Sequence, residues 1–285
     1  MLFTPFKIGH LTLRNRTIRA AAFEGMCPGH ALVTGASSGI GWHISHELAK
    51  KGYCIIAVSN QPDRLDDLKK KLENEYPISV STLNIDLSQE NSAQQVYDFC
   101  ERNKVRVEVL VNNAGTLHFG EVLKIEIFRM RSIMNLHMIT PAMLCRLFGG
   151  KMMERRKGFI LNTSSISSIM PYPTISVYGP TKAFLRHFTR ALRTEVKRYG
   201  IKVTCLIPGA TSTGLYDSAK FDTPLKRKLG IMKKPEVVAK AGIKALFNNH
   251  PECTPGFLNK LIVLFVPVIP HSIIGAIYKR TNFFD

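Results

Sequence analysis

A doubly wound α/β fold built on one parallel sheet is what this sequence predicts, on three observations. From His30 onward, short apolar runs rich in β-branched residues alternate with longer helical patterns, as successive β-α-β crossovers require. A glycine-rich turn from Gly35 to Gly41 joins the first of these runs to the first helix. The chain has 285 residues, 45% of them hydrophobic, which is enough for one large domain with an extension at each end.

The strands are expected at 31–34, 54–58, 80–84, 107–111, 159–162 and 203–207. Each is short and apolar throughout, the pattern of strands covered on both faces. Helices are expected at 41–51, 63–75, 88–103, 122–153 and 177–198, with Ser88 as an N-cap. A further helix starts at Pro235, whose missing N–H suits a first turn, and runs to Phe247. This divides the chain into an extension over 1–28, a sheet domain over 29–256 and an apolar tail over 257–285.

Composition narrows the function classes. Thirty-nine Lys and Arg against 21 Asp and Glu give a formal charge of +18. Such charge attracts nucleic acid, an acidic carrier, anionic lipid or a phosphorylated cofactor. No nucleic-acid module or basic-aromatic repeat accompanies it, so nucleic acid is not expected as a partner. The six cysteines include no C-x-x-C pair, which argues against a zinc site or a disulfide framework and for a reducing, cytoplasmic setting. His43 and His46 lie three apart but have no third ligand in sequence, and no metal is expected. The first residues carry no secretory signal pattern. The longest apolar run, 261–270, is about half of the ~20 residues a bilayer span needs.

In the run Thr34-Gly35-Ala36-Ser37-Ser38-Gly39-Ile40-Gly41, Gly35 permits a tight turn and Gly39 a close approach to a pyrophosphate. Gly41 allows helix packing, and the helix N-terminus attracts the anion. The spacing is G-x-x-x-G-x-G, and in this form TGASSGIG resembles the short-chain dehydrogenase/reductase superfamily, which has a Rossmann fold. Further blocks follow in the order that resemblance implies: Asp86-Leu87 after the third strand, Asn112-Asn113-Ala114-Gly115 after the fourth, Asn135 within a helix and Ser165 after the fifth strand. Tyr178-Gly179-Pro180-Thr181-Lys182 supplies Y-x-x-x-K, and Pro208-Gly209, with Thr211 and Thr213 behind it, matches the segment that closes over the nicotinamide. The resemblance covers residues 29 to 260. It implies cofactor contacts from Gly35, Ser37, Ser38, Gly39, Ile40, Gly41, Ser59, Asn60, Asp86, Leu87, Asn113, Ala114, Gly115, Tyr178, Lys182, Pro208, Gly209, Thr211 and Thr213.

Reducing a ketone by hydride delivery creates an alkoxide, so the site must supply a proton and stabilise charge on oxygen. Tyr178 is the expected acid/base. Its unperturbed pKa of ~10 is too high for efficient exchange near neutrality, and a nearby cation lowers it. Lys182, four residues on, shares a helix face with it. The resemblance assigns Ser165 to the substrate oxygen and Asn135 to a water that links the lysine to solvent. A capping or kink amide is the alternative for Asn135. Thr181 stands where the family commonly has serine, and Pro180 requires the helix to begin close to Tyr178. Trp42 is bulkier than the family's usual residue there and is expected to pack.

At the end of the second strand the sequence reads Val58-Ser59-Asn60-Gln61. No carboxylate there repels a 2′-phosphate, so NADP is favoured over NAD, with Arg64 as a helper. The arginine expected at position 60 is missing, as is a basic residue at Ser38. Leu117, His118, Met170 and Tyr172, with Leu215, Tyr216, Phe221, Leu225 and Ile231 from the loop 211–234, suggest an apolar pocket. A steroid-like, lipid-like or 3-oxoacyl carbonyl compound would suit it, and ordinary loop packing is the alternative. Two other functions compete: a non-enzymatic NADP-binding scaffold, against which Ser165, Tyr178 and Lys182 speak, and a basic membrane-associated protein. A homo-oligomer is expected, as is common in the family.

The two ends carry resemblances of their own. Residues 1–28, with Leu2 to Gly9, Leu11 to Arg16 and Phe23 to Met26, resemble the start of Old Yellow Enzyme-type flavin oxidoreductases, as a fusion remnant without room for FMN. The stretch Pro255-Gly256-Phe257-Leu258-Asn259-Lys260-Leu261 resembles a bacterial subgroup of short-chain reductases. Residues 226–285 hold ten Lys and Arg against three acids. The apolar tail either packs on the core or a partner subunit, or makes peripheral contact with an anionic membrane.

Overall fold

The structure, a computed structural model, describes residues 6–8, 11–13, 29–169, 172–213 and 232–280. Strands β1 (Phe6–Ile8) and β2 (Leu11–Leu13) pair antiparallel as a small separate hairpin. The main sheet contains β3 (His30–Thr34), β4 (Cys54–Ser59), β5 (Val80–Asn84), β6 (Val107–Asn112), β7 (Gly158–Thr163), β8 (Ile201–Leu206) and β9 (Glu252–Cys253). Its order is β5-β4-β3-β6-β7-β8-β9, with every pairing parallel. Six of these strands lie where the sequence predicts them. The two-residue β9 was not expected, because it has no apolar alternation of its own. It is held through pairing of Cys205 with Glu252 and by the Arg186 guanidinium gripping Glu252 at 2.9 and 3.0 Å.

The helices are α1 (Gly39–Ala49), α2 (Pro62–Glu75), α3 (Ser92–Arg102), α4 (Ile127–Met134), α5 (Thr140–Arg155), α6 (Tyr178–Val196), α7 (Pro235–Phe247), α8 (Phe257–Phe265) and α9 (His271–Arg280). Because side chains alternate across a strand, β3 sends Ala31 and Val33 to one face and Leu32 to the other. The first face packs on Ile44 and Leu48 of α1, Leu65, Leu68 and Leu72 of α2, and Ile243 and Leu246 of α7. The second packs on Val96 of α3, Leu144, Phe148 and Met152 of α5, and Val196 of α6. Burial on both sides explains why the strands are apolar throughout.

Two expectations need correction. Ser88 is not an N-cap: α3 begins at Ser92, Asn91 occupies the cap position with φ 62°, and no side chain caps the turn. The Ser88 N–H instead donates to the Asp86 carboxylate at 2.9 Å. The helix expected over 122–153 is a 3₁₀ turn (Val122–Lys124), then α4, a π turn (Asn135–Ile139) and α5. Pro141 is the reason for the π turn. A proline within a continuous helix offers no N–H to the carbonyl four residues back, here that of His137, and its ring clashes with it. One wide turn absorbs the conflict. α6 begins at Tyr178, as Pro180 requires.

Candidate active site

A cleft of about 1160 Å³ opens at the carboxyl ends of the strands, across the switch point where β3 has β4 on one side and β6 on the other. Its floor is the turn between β3 and α1. Gly35 and Gly39 have φ of +65° and +54°, conformations that L side chains rarely adopt. A Cβ at Gly35 would stand 2.8 Å from the Ala114 Cα, and one at Gly39 would stand 2.9 Å from Thr213 Cγ2. Gly41 does not line the cleft. It lets α1 pack on the Gly35 carbonyl and on Asn113 Nδ2, which a Cβ would meet at 2.6 Å. The Thr34 hydroxyl donates to Val111 O at 3.2 Å and accepts the N–H groups of Asn113 and Ala114 at 2.9 and 3.0 Å. No side chain caps the first turn of α1, so its N–H groups and positive dipole end suit a pyrophosphate.

The adenosine arm of such a cofactor would lie over β4 and β5. Ser59 Oγ donates to Ser37 Oγ at 2.8 Å, both buried, which ties the end of β4 to the glycine turn. Asn60, Asp86 and Leu87 line the same arm, as do Trp42, His43, Asp63 and Arg64. Trp42 also packs, its ring centroid 5.8 Å from that of His46. Asp63 places an acid in the first turn of α2. Burial pushes the Asp86 carboxyl up, but hydrogen bonds from the Ser88 backbone and side chain and from Gln89 outweigh it and leave a net lowering.

Ser165, Tyr178 and Lys182 line the other arm with Asn113, Ala114, Gly115, Pro208, Gly209 and Thr211. Tyr178 and Lys182 are 7% and 4% exposed, with the Lys182 ammonium 5.9 Å from the centre of the Tyr178 ring. That ammonium donates to Thr163 O at 3.1 Å, and burial lowers its pKa to about 8. Ser165 Oγ accepts the Ser167 N–H at 3.1 Å and donates to Ser167 Oγ at 3.2 Å. Its neighbour Ser164 also lines the cleft, and its hydroxyl donates to the Lys182 carbonyl at 2.7 Å.

Asn135 stands apart from this group. It opens the π turn, does not line the cleft, and its Nδ2 donates to Ser88 O at 3.1 Å. Leu117 lines the cleft, whereas His118 and Tyr172 do not. Met170, Leu215, Tyr216, Phe221, Leu225 and Ile231 fall outside the described residues. Two residues in or under the site escaped sequence reasoning. His137 is buried against Tyr178 with ring centroids 5.6 Å apart. Asn259 of the tail lies beneath Gly209, where a Cβ would meet its Cγ at 2.6 Å. His137 belongs to no spaced motif, and Asn259 stands in sequence only as one residue of the Pro255–Leu261 stretch.

A parallel sheet whose strand ends converge on a glycine turn in this way gives the chain the doubly wound architecture of dinucleotide-binding proteins. More narrowly, residues 29–223 match the short chain dehydrogenase model, and the chain belongs to that family. It is 35% identical over 190 residues to very-long-chain 3-oxoacyl-CoA reductase-A of Danio rerio, a match over 64% of this chain and 58% of the relative. To very-long-chain 3-oxoacyl-CoA reductase of Rattus norvegicus it is 30% identical over 257 residues, 84% of this chain and 78% of the relative. Its fold is that of a short-chain dehydrogenase from Sphingobium yanoikuyae in complex with NADPH, with a TM-score of 0.73, 24% identity, and coverage of 88% and 93% of the two chains. The flavin-enzyme resemblance of residues 1–28 is not borne out: the family match begins at residue 29, and these relatives are short-chain dehydrogenases and reductases.

Proposed function

We propose that this protein uses NADPH to reduce the keto group of a lipid-like substrate, a 3-oxoacyl thioester before others, to a secondary alcohol. The observation that carries this reading is the meeting of Ser165, Tyr178 and Lys182 in the same cleft as the Gly35–Gly39 turn. The names of the 3-oxoacyl-CoA reductase relatives support the thioester, whose anionic carrier suits a chain of formal charge +18. The NADPH complex of the Sphingobium protein, and Ser59 and Asn60 in place of a carboxylate, support the phosphorylated cofactor.

The nicotinamide, when bound, supplies the hydride. Tyr178 gives its phenolic proton to the oxygen on which charge develops, and the Lys182 ammonium favours the phenolate left behind. Ser165 Oγ already accepts the Ser167 amide, so its own proton is what it can offer. That proton now makes a long 3.2 Å bond to Ser167 Oγ, which a carbonyl oxygen can replace. The test is oxidation of NADPH and NADH by the purified protein against 3-oxoacyl-CoA esters of rising chain length, ketosteroids and retinoid-like carbonyls. Activity on the thioesters with NADPH is expected. No carbonyl-dependent oxidation of either cofactor would sink the reading.

A second surface bears on where the protein works. Among the described residues no helix is long and apolar enough to cross a membrane. Phe257, Leu264, Phe265 and Val268 of the tail are nevertheless exposed. We propose peripheral contact of this tail with anionic lipid. Exposed Ile127, Phe128, Ile139 and Met143 on the α4–α5 side support a homo-oligomer.

A further inference from the structure

The chemistry above leaves the imidazole of His137 without a task, although it is 1% exposed and lies against the proton donor. Its Nε2 accepts the Thr116 N–H at 3.0 Å. Its Nδ1 lies 3.0 Å from Thr181 Oγ1, and that hydroxyl gives its own proton to the Tyr178 carbonyl at 2.8 Å. The proton directions are therefore determined. A backbone N–H can only donate, so Nε2 must be bare. The Thr181 proton is already committed, so the ring proton sits on Nδ1 and points at the Thr181 oxygen.

A protonated ring would aim an Nε2–H at the Thr116 N–H, donor against donor. It would also add a second cation close to Lys182, since a Cβ at Gly115 would stand 3.2 Å from His137 Nε2 and 3.4 Å from Lys182 Nζ. Burial first, and the Lys182 charge second, hold the His137 pKa well below its ordinary value. With both nitrogens bonded and the charge excluded, the ring is no acid or base for the substrate. What it does is join two parts of the site: the turn after β6, where Asn113, Ala114 and Gly115 line the cleft, and the first turn of α6, which carries Tyr178. The π turn containing His137 is the local irregularity that turns this position inward, a device that recurs at functional sites.

We propose that His137 is a positioning residue which, as the neutral Nδ1–H tautomer, ties the Asn113–Thr116 turn to the start of α6 and so sets the depth of Tyr178 relative to the cofactor floor. The inference rests on the reductase reading and refines it.

Two variants test it. In His137→Gln the amide oxygen reaches about where Nε2 stands and still accepts the Thr116 N–H. His137→Leu keeps comparable bulk and removes the acceptor. With a reducible carbonyl, His137→Leu should lose roughly 10- to 100-fold in kcat with KM changed less than about threefold, the signature of a misplaced reacting group. His137→Gln, which keeps the Thr116 end of the tie and loses the Thr181 end, should fall between wild type and His137→Leu in kcat. In ¹⁵N-labelled protein, the wild-type ring should show a protonated Nδ1 and bare Nε2 and stay neutral well below the ordinary imidazole range. The Thr116 amide should be protected from exchange in wild type and the Gln variant, and exposed in the Leu variant. Equal kcat in the two variants, a protected Thr116 amide in His137→Leu, or an Nε2–H tautomer would each overturn the proposal. Should His137→Leu fail to bind NADPH, the tautomer and the Gln variant's Thr116 exchange still decide. If the wild type reduces no carbonyl, the reductase reading fails by itself, and the two spectroscopic results still judge the His137 tie.

Discussion

The Lys182 ammonium donates to the carbonyl of Thr163 across 3.1 Å, which anchors α6 to the end of β7. Burial holds that ammonium at a pKa of about 8. Reduction needs a proton donor, so the Tyr178–Lys182 pair is competent while protonated and fails as pH rises through that value. kcat/KM for reduction should be flat below about pH 8 and fall above it, with the opposite trend for alcohol oxidation. In Lys182→Met the limb should move up toward the ordinary tyrosine value of ~10. Profiles measured from pH 6 to 10 decide it, and an unmoved limb in the variant would reject the pairing.

Tyr178→Phe removes the exchangeable proton and little else, since the ring still packs on His137. Turnover should fall by ~10²-fold or more, with NADPH affinity measured by fluorescence titration nearly unchanged. Lys182→Ala should lose both rate and cofactor affinity. More than roughly a tenth of wild-type rate in Tyr178→Phe would remove it as the acid.

The buried Ser59–Ser37 hydrogen bond sets the chemistry at the end of β4. Ser59→Asp places a carboxylate there, which repels a 2′-phosphate and should turn the preference from NADPH to NADH. Asn60→Arg should sharpen the preference for NADPH. The check is kcat/KM with each cofactor, and a wild type that uses NADH equally well or better contradicts the assignment.

Gly41→Ala requires no unusual backbone angle, but its Cβ would press on the Gly35 carbonyl and on Asn113 Nδ2. Overpacking of this kind costs about 1–3 kcal/mol, and because the displaced atoms build the glycine turn, NADPH affinity should fall as well. Thermal unfolding with and without NADPH reads both effects. A variant with wild-type Tm and the same NADPH-induced rise would show that the turn tolerates a side chain.

Exposed Leu264 and Phe265 should carry the protein onto anionic vesicles. Flotation is expected at low salt, weaker binding in high salt, and loss in Leu264→Lys and Phe265→Lys variants that still bind NADPH. If wild type fails to float at low salt, the tail belongs to a protein contact instead.

What could be read from the chain alone was what local chemistry dictates. Strands buried on both faces must be apolar runs, an anion turn between strand and helix needs its glycines, and a phenol served by an ammonium on one helix needs them four residues apart. β3 to β8, the Gly35–Gly41 turn, Tyr178, Lys182 and the start of α6 at Tyr178, which Pro180 requires, were therefore legible. What only the tertiary structure decided depends on partners distant in sequence. β9 exists because β8 pairs with it and Arg186 holds Glu252. Asn259 matters because Gly209 leaves it room. His137 reads as one more residue of a long helix until Pro141 widens the turn before it, and only then do Thr116 and Thr181, 21 and 44 residues away, meet its two nitrogens. A side chain's hydrogen-bond partners across such distances leave no periodic trace in sequence, because they are set by how the elements pack and not by the order of residues within any one of them.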